Sequence, residues 1–115
     1  MALIYHIARA TDWQRALPVG EYRISTVDKT LEQQGFIHAS TASQVAGVAN
    51  AIFAGVPDLV LLLIDEDLVG PEIRYEAPPG GTQRYPHIYG PLGTDAVVGT
   101  QPLEPGADGR FHFAG

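Results

Sequence analysis

The sequence predicts one α+β domain over residues 1–115, with short helices packed on a mixed or antiparallel sheet. Three features lead there. The segment LVLLLI, Leu59 to Ile64, is an unbroken apolar run of strand length, as expected of a central strand buried on both faces. In SQVAGVANAIFAG, the residues Val45, Val48, Ala49, Ile52 and Phe53 form an apolar stripe at helical spacing. Helical patterns stand early and strand patterns later, with no repeat, heptad or linker to mark a second unit.

Taken in order, Leu3 to Ala8 reads as a first strand, apolar on both faces apart from His6 and the Tyr5 hydroxyl. TDWQRA follows as a short helix to Ala16 capped by Thr11 or Asp12, and Pro18 and Gly20 break it. A short extended piece spans Tyr22 to Ser25. STVDKTLEQQG then predicts a helix capped by Ser25 or Thr26 and stopped by Gly35. GFIHAS is the next strand, with Phe36, His38 and Ser40 on one face and Ile37 and Ala39 on the other. The helix after it takes Thr41 or Ser43 as cap and ends at Gly55 and Pro57. Asp65 to Val69 turns the chain, and EIRYE alternates as a half-buried strand. APPGGTQRYPHIYGPLG predicts a long irregular loop, and AVVGTQPL and RFHF two strands joined through EPGADG.

Composition excludes several functions. The formal charge is −6, and the seven Lys and Arg are scattered, so no cationic stripe is available to nucleic acid. There is no cysteine, hence no disulfide, thiolate metal site or thiol nucleophile. MALIYHIARA is too broken for a signal peptide, and no apolar run reaches the ~20 residues of a membrane span. A soluble, cytoplasmic protein is expected, with no membrane partner and an open oligomeric state. Phosphate-binding and dinucleotide glycine loops are absent, as are HExxH and GxSxG. Asp65 to Asp67 reads as a solvated strand end, and Trp13 and Phe53 as core.

The histidines carry what chemistry there is. His6, His38 and His87 lie in IYHIA, GFIHAS and PHIYG, each among apolar residues where an imidazole is costly without a partner. Each has a hydroxyl nearby: Tyr5 beside His6, Ser40 after His38, Tyr85 and Tyr89 around His87. One such residue is most simply a satisfied core group; three incur that cost three times. His112 in RFHF reads as an exposed strand position.

IYHI, the following Trp, GFIHAS and PHIYG together resemble a small bacterial single-domain family catalogued as a domain of unknown function, from Tyr5 to about Val98. That family is distantly similar to the ADP-ribosyltransferase superfamily, which includes NAD-using RNA 2′-phosphotransferases and poly(ADP-ribose) polymerases. The resemblance implies an ADP-ribosyltransferase-like fold, NAD as cosubstrate and transfer of ADP-ribose. It places His6 as the first-strand residue, His38 as the second-strand residue, His87 or Tyr89 at the third position and Glu76 as the carboxylate. His6, Tyr5, His38, Ser40 and Arg9 become the residues expected to hold the nucleotide, with Arg84 a further cation. Cleavage of the nicotinamide–ribose bond passes through an oxocarbenium-like state that a nearby negative charge stabilises. His6 and His38 are expected to line one cleft, closed over by PHIYG. Two other readings stand beside this one: a hydrolase-like metal site of His6, His38 and His87, and a ligand-binding module without catalysis.

Overall fold

A computed structural model describes residues 2–114; Met1 and Gly115, the ends of the predicted domain, lie outside the described residues. In chain order the elements are β1 (Leu3–Arg9), α1 (Ala10–Val19), β2 (Glu21–Tyr22), β3 (Ile24–Thr26), β4 (Lys29–Thr30), α2 (Leu31–Gln34), β5 (Ile37–His38), α3 (Val45–Ile52), β6 (Leu59–Asp65), β7 (Ile73–Glu76), β8 (Tyr85–Ile88), β9 (Leu92–Gly93) and β10 (Val97–Leu103). Every strand pairing is antiparallel.

LVLLLI behaves as its composition requires. β6 is the centre of the ladder β1-β6-β10 and buries both faces. One face, with Ile4, Ala8, Leu62 and Ile64, joins Ile37, Ala39 and Ile88 of a second ladder, β5-β8-β7. The opposite face, with Tyr5, Ile7, Leu59 and Leu61, is covered by Val45 and Ala49 of α3, by Phe53 and by Phe111. A single bridge links the two ladders: Tyr5 N–H donates to Ser40 C=O at 2.8 Å, and Ser40 N–H to Tyr5 C=O at 2.7 Å. The strands therefore run β10-β6-β1-β5-β8-β7 as one antiparallel array interrupted between β1 and β5.

Several segments depart from the sequence expectation. α1 begins at Ala10 with no side-chain cap, so Thr11 and Asp12 fall inside its first turn, and it runs through Pro18 to Gly20, whose φ of 87° closes it. A helical N–H is lost at Pro18, but so near the end this leaves the rest of the helix intact. STVDKTLEQQG is mostly a hairpin, because Asp28 takes φ of 60° and reverses the chain between β3 and β4. Only Leu31–Gln34 is helical, capped reciprocally by Thr30 and Gln33. Gly35 does end that helix. α3 starts later than Thr41 or Ser43 would place it; Gln44 precedes it and ties it to the residue before β8, donating Nε2–H to Arg84 C=O at 2.7 Å. Pro86–Ile88 of PHIYG are not loop but part of the central strand β8; residues 77–84 and 89–91 are irregular. RFHF forms no strand. Instead Phe111 packs under α3, fixed by Asn50, which accepts from Phe111 N–H at 2.9 Å and donates to its C=O at 3.0 Å.

Among the described residues no helix is long and apolar enough to cross a membrane. Leu62 is fully buried where the two ladders pack. Truncating it in Leu62→Ala should cost about 2–5 kcal/mol, read as a lower denaturation midpoint at unchanged slope.

Candidate functional site

The alternation of β5, β8 and β7 sorts core from site. Residues Ile37, Ala39, Ile88 and Ile73 turn to the core. The register pairs His38 with His87 and His87 with Arg74, so these three share the other face, together with Phe36, Tyr89 and Glu76. On that face Phe36 stacks on His87, with ring centroids 4.0 Å apart and planes 18° from parallel. His38 stands edge-on to both, 4.8 Å from Phe36 and 5.1 Å from His87. His87 donates Nδ1–H to Glu76 Oε1 at 2.9 Å, and the Tyr89 hydroxyl donates to the same oxygen. The Arg74 guanidinium lies over the Tyr89 ring at 4.5 Å.

This face opens into a cavity of about 400 Å³. Phe36, His38 and Ser40 form one wall, Tyr85 and His87 another, and Gly47, Val48 and Ile52 of α3 the side opposite. Tyr5 and Ile7 of β1 and the loop prolines Pro78 and Pro79 complete it. No hydrogen bond from a protein group reaches either ring nitrogen of His38, or Nε2 of His87, among the described residues. Since no buried side-chain nitrogen or oxygen there lacks a partner, these nitrogens contact accessible space.

His6 has a different task. The edge of β5 that faces away from β8 presents the carbonyls of Phe36 and His38, and no backbone donor reaches them until Ser40 pairs with Tyr5. Side chains fill the gap: Ser25 Oγ donates to Phe36 C=O, and His6 Nδ1–H donates to His38 C=O. A carbonyl only accepts, so His6 carries its proton on Nδ1, and its Nε2 accepts from the Tyr22 hydroxyl at 2.9 Å. Its side chain leaves β1 on the face opposite Tyr5 and Ile7.

The electrostatics follow from these environments. Burial lowers the His6 pKa to about 4 against the supporting effect of the His38 carbonyl. Burial and then the neighbouring His87 lower that of His38, also to about 4, so both imidazoles are neutral at pH 7. The bonds from Tyr89 and His87 hold Glu76 below the usual carboxylate range, and the Glu76 carboxylate raises Tyr89.

Of the residues singled out in the sequence, His38, His87, Glu76 and Tyr89 are brought together, and Ser40 and Tyr5 line the same cavity. His6 borders it but commits both ring nitrogens behind β5, so His6 and His38 do not present a shared pair of imidazoles. Arg9 is elsewhere, paired with Asp28 at 3.2 Å. The three-histidine metal set does not form: His6 has no free nitrogen, and among the described residues no three His, Cys, Asp or Glu converge on a metal position. His112 is exposed and bonds Asp108 at 2.9 Å, though on no strand. Asp65 caps a 3-10 turn at Glu66–Leu68. Trp13 packs against the core beside Tyr22. Phe36, the hub of the ring cluster, was not among the candidates, although its spacing of two from His38 already put it on their face. Gly47 was legible only as part of a helix.

With fold and site in view, the comparisons define the class: residues 7–100 match the family described as protein of unknown function DUF952, and the chain belongs to that family. Among solved structures it is similar to protein CC0527 from Caulobacter crescentus. The crystal structure is 35% identical, covering 96% of this chain and 94% of that one, with a TM-score of 0.82. The solution NMR structure is 36% identical over 96% and 91%, with a TM-score of 0.79. No curated protein matches the chain.

Two outcomes follow from the His6 relay. Tyr22→Phe leaves His6 Nε2 buried without its donor and should cost about 1–3 kcal/mol in equilibrium unfolding. Because folding lowers the His6 pKa from 6.5 to about 4, the unfolded chain binds the extra proton between those values. Stability should therefore be constant above that window and fall as pH drops through it, by up to about 1.4 kcal/mol per pH unit from His6. A denaturation series with a flat pH dependence there would contradict the neutral buried imidazole.

Proposed function

We propose that the cavity binds the nicotinamide–ribose end of NAD and that the protein transfers ADP-ribose from it. The observation that carries this reading is the open aromatic shelf: Phe36 stacked on His87 at 4.0 Å, with His38 edge-on and its nitrogens unclaimed by protein. Flat heteroaromatic rings bind by offset stacking on such surfaces. A neutral imidazole both donates and accepts, which suits an amide or a ribose hydroxyl. The cavity's 400 Å³ lies in the range of small-molecule sites, and most of its lining is apolar. Glu76, ionised at neutral pH, stands one hydrogen bond behind His87 and is the carboxylate adjoining this face. Arg9 takes no part; the diphosphate lies toward solvent, where Arg84 precedes the cavity residue Tyr85 and is exposed.

Binding without turnover is the second reading. It is favoured by the commitment of Glu76 Oε1 to two donors, which leaves less of its charge for a developing oxocarbenium.

The test is NAD titration followed by the His38 ring resonances and by released nicotinamide. His38→Ala should abolish binding while the unfolding midpoint stays close to wild type, because its side chain bonds to no protein group. Gly47→Leu gives an independent check. A Cβ there meets nothing within 4 Å and Gly47 lines the cavity, so a larger side chain is expected to take up cavity space, and leucine is the better helix former. It should block NAD with no loss of stability. NAD binding unchanged in both variants would sink the proposal; binding without nicotinamide release would select the second reading.

A further inference from the structure

The Glu76–His87 pair sets the protonation of a cavity-facing imidazole. A carboxylate oxygen only accepts, so the 2.9 Å bond from His87 Nδ1 to Glu76 Oε1 places the ring proton on Nδ1. The lone pair is then on Nε2, which contacts the cavity. The ring cannot turn freely: Phe36 covers one face at 4.0 Å and His38 stands against it at 5.1 Å. Nucleophile-activating histidines in hydrolytic triads are held by a carboxylate in the same way.

We propose that His87 is the general base of this site, accepting through Nε2 the proton of an acceptor hydroxyl, and that Glu76 is its positioning residue. The proposal rests on the NAD reading for the electrophile. As the acceptor oxygen bonds to C1′ of the ribose, its proton passes to His87 Nε2. The bond from C1′ to the nicotinamide nitrogen breaks, and its electron pair leaves with nicotinamide as the neutral base. The His87 proton is then lost to solvent. The acceptor class is accordingly an alcohol, a sugar hydroxyl or water, since a carboxylate is already ionised and needs no base.

The surrounding charges agree with one proton acceptor. Glu76 and Arg74 face His87 from β7, Tyr85 on β8 and Tyr89 just after it flank it, and His38 faces it from β5. Arg74 is paired with Glu72 at 3.0 Å and lies over Tyr89. From α3 the cavity receives Gly47, Val48, Ala51 and Ile52, none of which titrates. Burial first and the neighbouring His87 second keep His38 neutral, so it does not compete for the proton.

Ring-¹⁵N spectra of the full chain read the tautomer without any ligand. Neutral His87 should be the Nδ1–H form, and Glu76→Ala should shift it toward Nε2–H, while Glu76→Gln, which keeps an accepting oxygen, should preserve it. With NAD and a hydroxyl acceptor, His87→Gln should lower nicotinamide release about 10²- to 10⁴-fold. An Nε2–H tautomer in the wild type overturns the proposal, and so does release by His87→Gln at the wild-type rate. Failure of the wild type to bind NAD overturns the NAD reading alone; the tautomer then decides whether the dyad exists.

Discussion

The interaction on which the arrangement depends is the buried relay from the Tyr22 hydroxyl through the His6 imidazole to the His38 carbonyl. It joins β2, β1 and β5, which belong to three different ladders. Between β1 and β5 the sheet is not closed by backbone pairing except at Tyr5 and Ser40, so β5 exposes carbonyls toward the protein interior. An unpaired carbonyl there would cost more than the bond itself is worth. His6 and Ser25 meet that demand from side chains, and Tyr22 completes His6 in turn. Since a strand alternates, fixing the His38 carbonyl also fixes which way its imidazole points. The relay thus acts on the cavity from behind, without entering it.

Pro86 explains why β5 pairs so briefly. In β8, Pro86 C=O accepts from Ala39 N–H at 2.9 Å, but proline has no N–H to return. The ladder loses one of its two bonds at that pair, and the chain leaves β8 to bridge Tyr5 at Ser40. A proline inside a central strand is unusual, and it is tolerated here because its N–H would fall where β5 is already departing. Just beyond this parting Gln44 accepts from Thr41 N–H and donates to Arg84 C=O, joining the start of α3 to the segment that leads into β8.

Much of this was legible in the sequence because two periods do most of the sorting. The unbroken apolar run of β6 announced a strand buried on both faces, and the alternation in GFIHAS announced the core and cavity faces of β5 before any pairing was known. The failures lay where local chemistry outweighs period. Asp28 accepts a left-handed turn that the helix read over STVDKTLEQQG gave no hint of. Tyr85–Ile88 carries a proline and sits among glycines and prolines, so only its pairing on both sides marks it as a strand. RFHF alternates like a strand, but Asn50 supplies both hydrogen bonds that a neighbouring strand would have offered Phe111.

The histidines show the limit most clearly. IYHIA, GFIHAS and PHIYG are alike as local sequences, yet the three imidazoles differ in hydrogen bonding because their partners come from elsewhere in the chain. His6 meets a carbonyl 32 residues away and a hydroxyl 16 away. His87 meets a carboxylate 11 residues earlier. The His38 ring packs edge-on to Phe36 and His87 but hydrogen-bonds to no protein group among the described residues. A buried imidazole with two partners is part of the scaffold, one with a carboxylate on a single side is oriented for proton transfer, and one with none is available to a ligand. Those three states are set by strand register: the pairing of Arg74 and His87 brings Glu76 onto the same face, and the bridge at Ser40 brings His6 to the back of β5. Register is a property of the assembled sheet, so the division of labour among the histidines follows from the fold rather than from the residues that flank them.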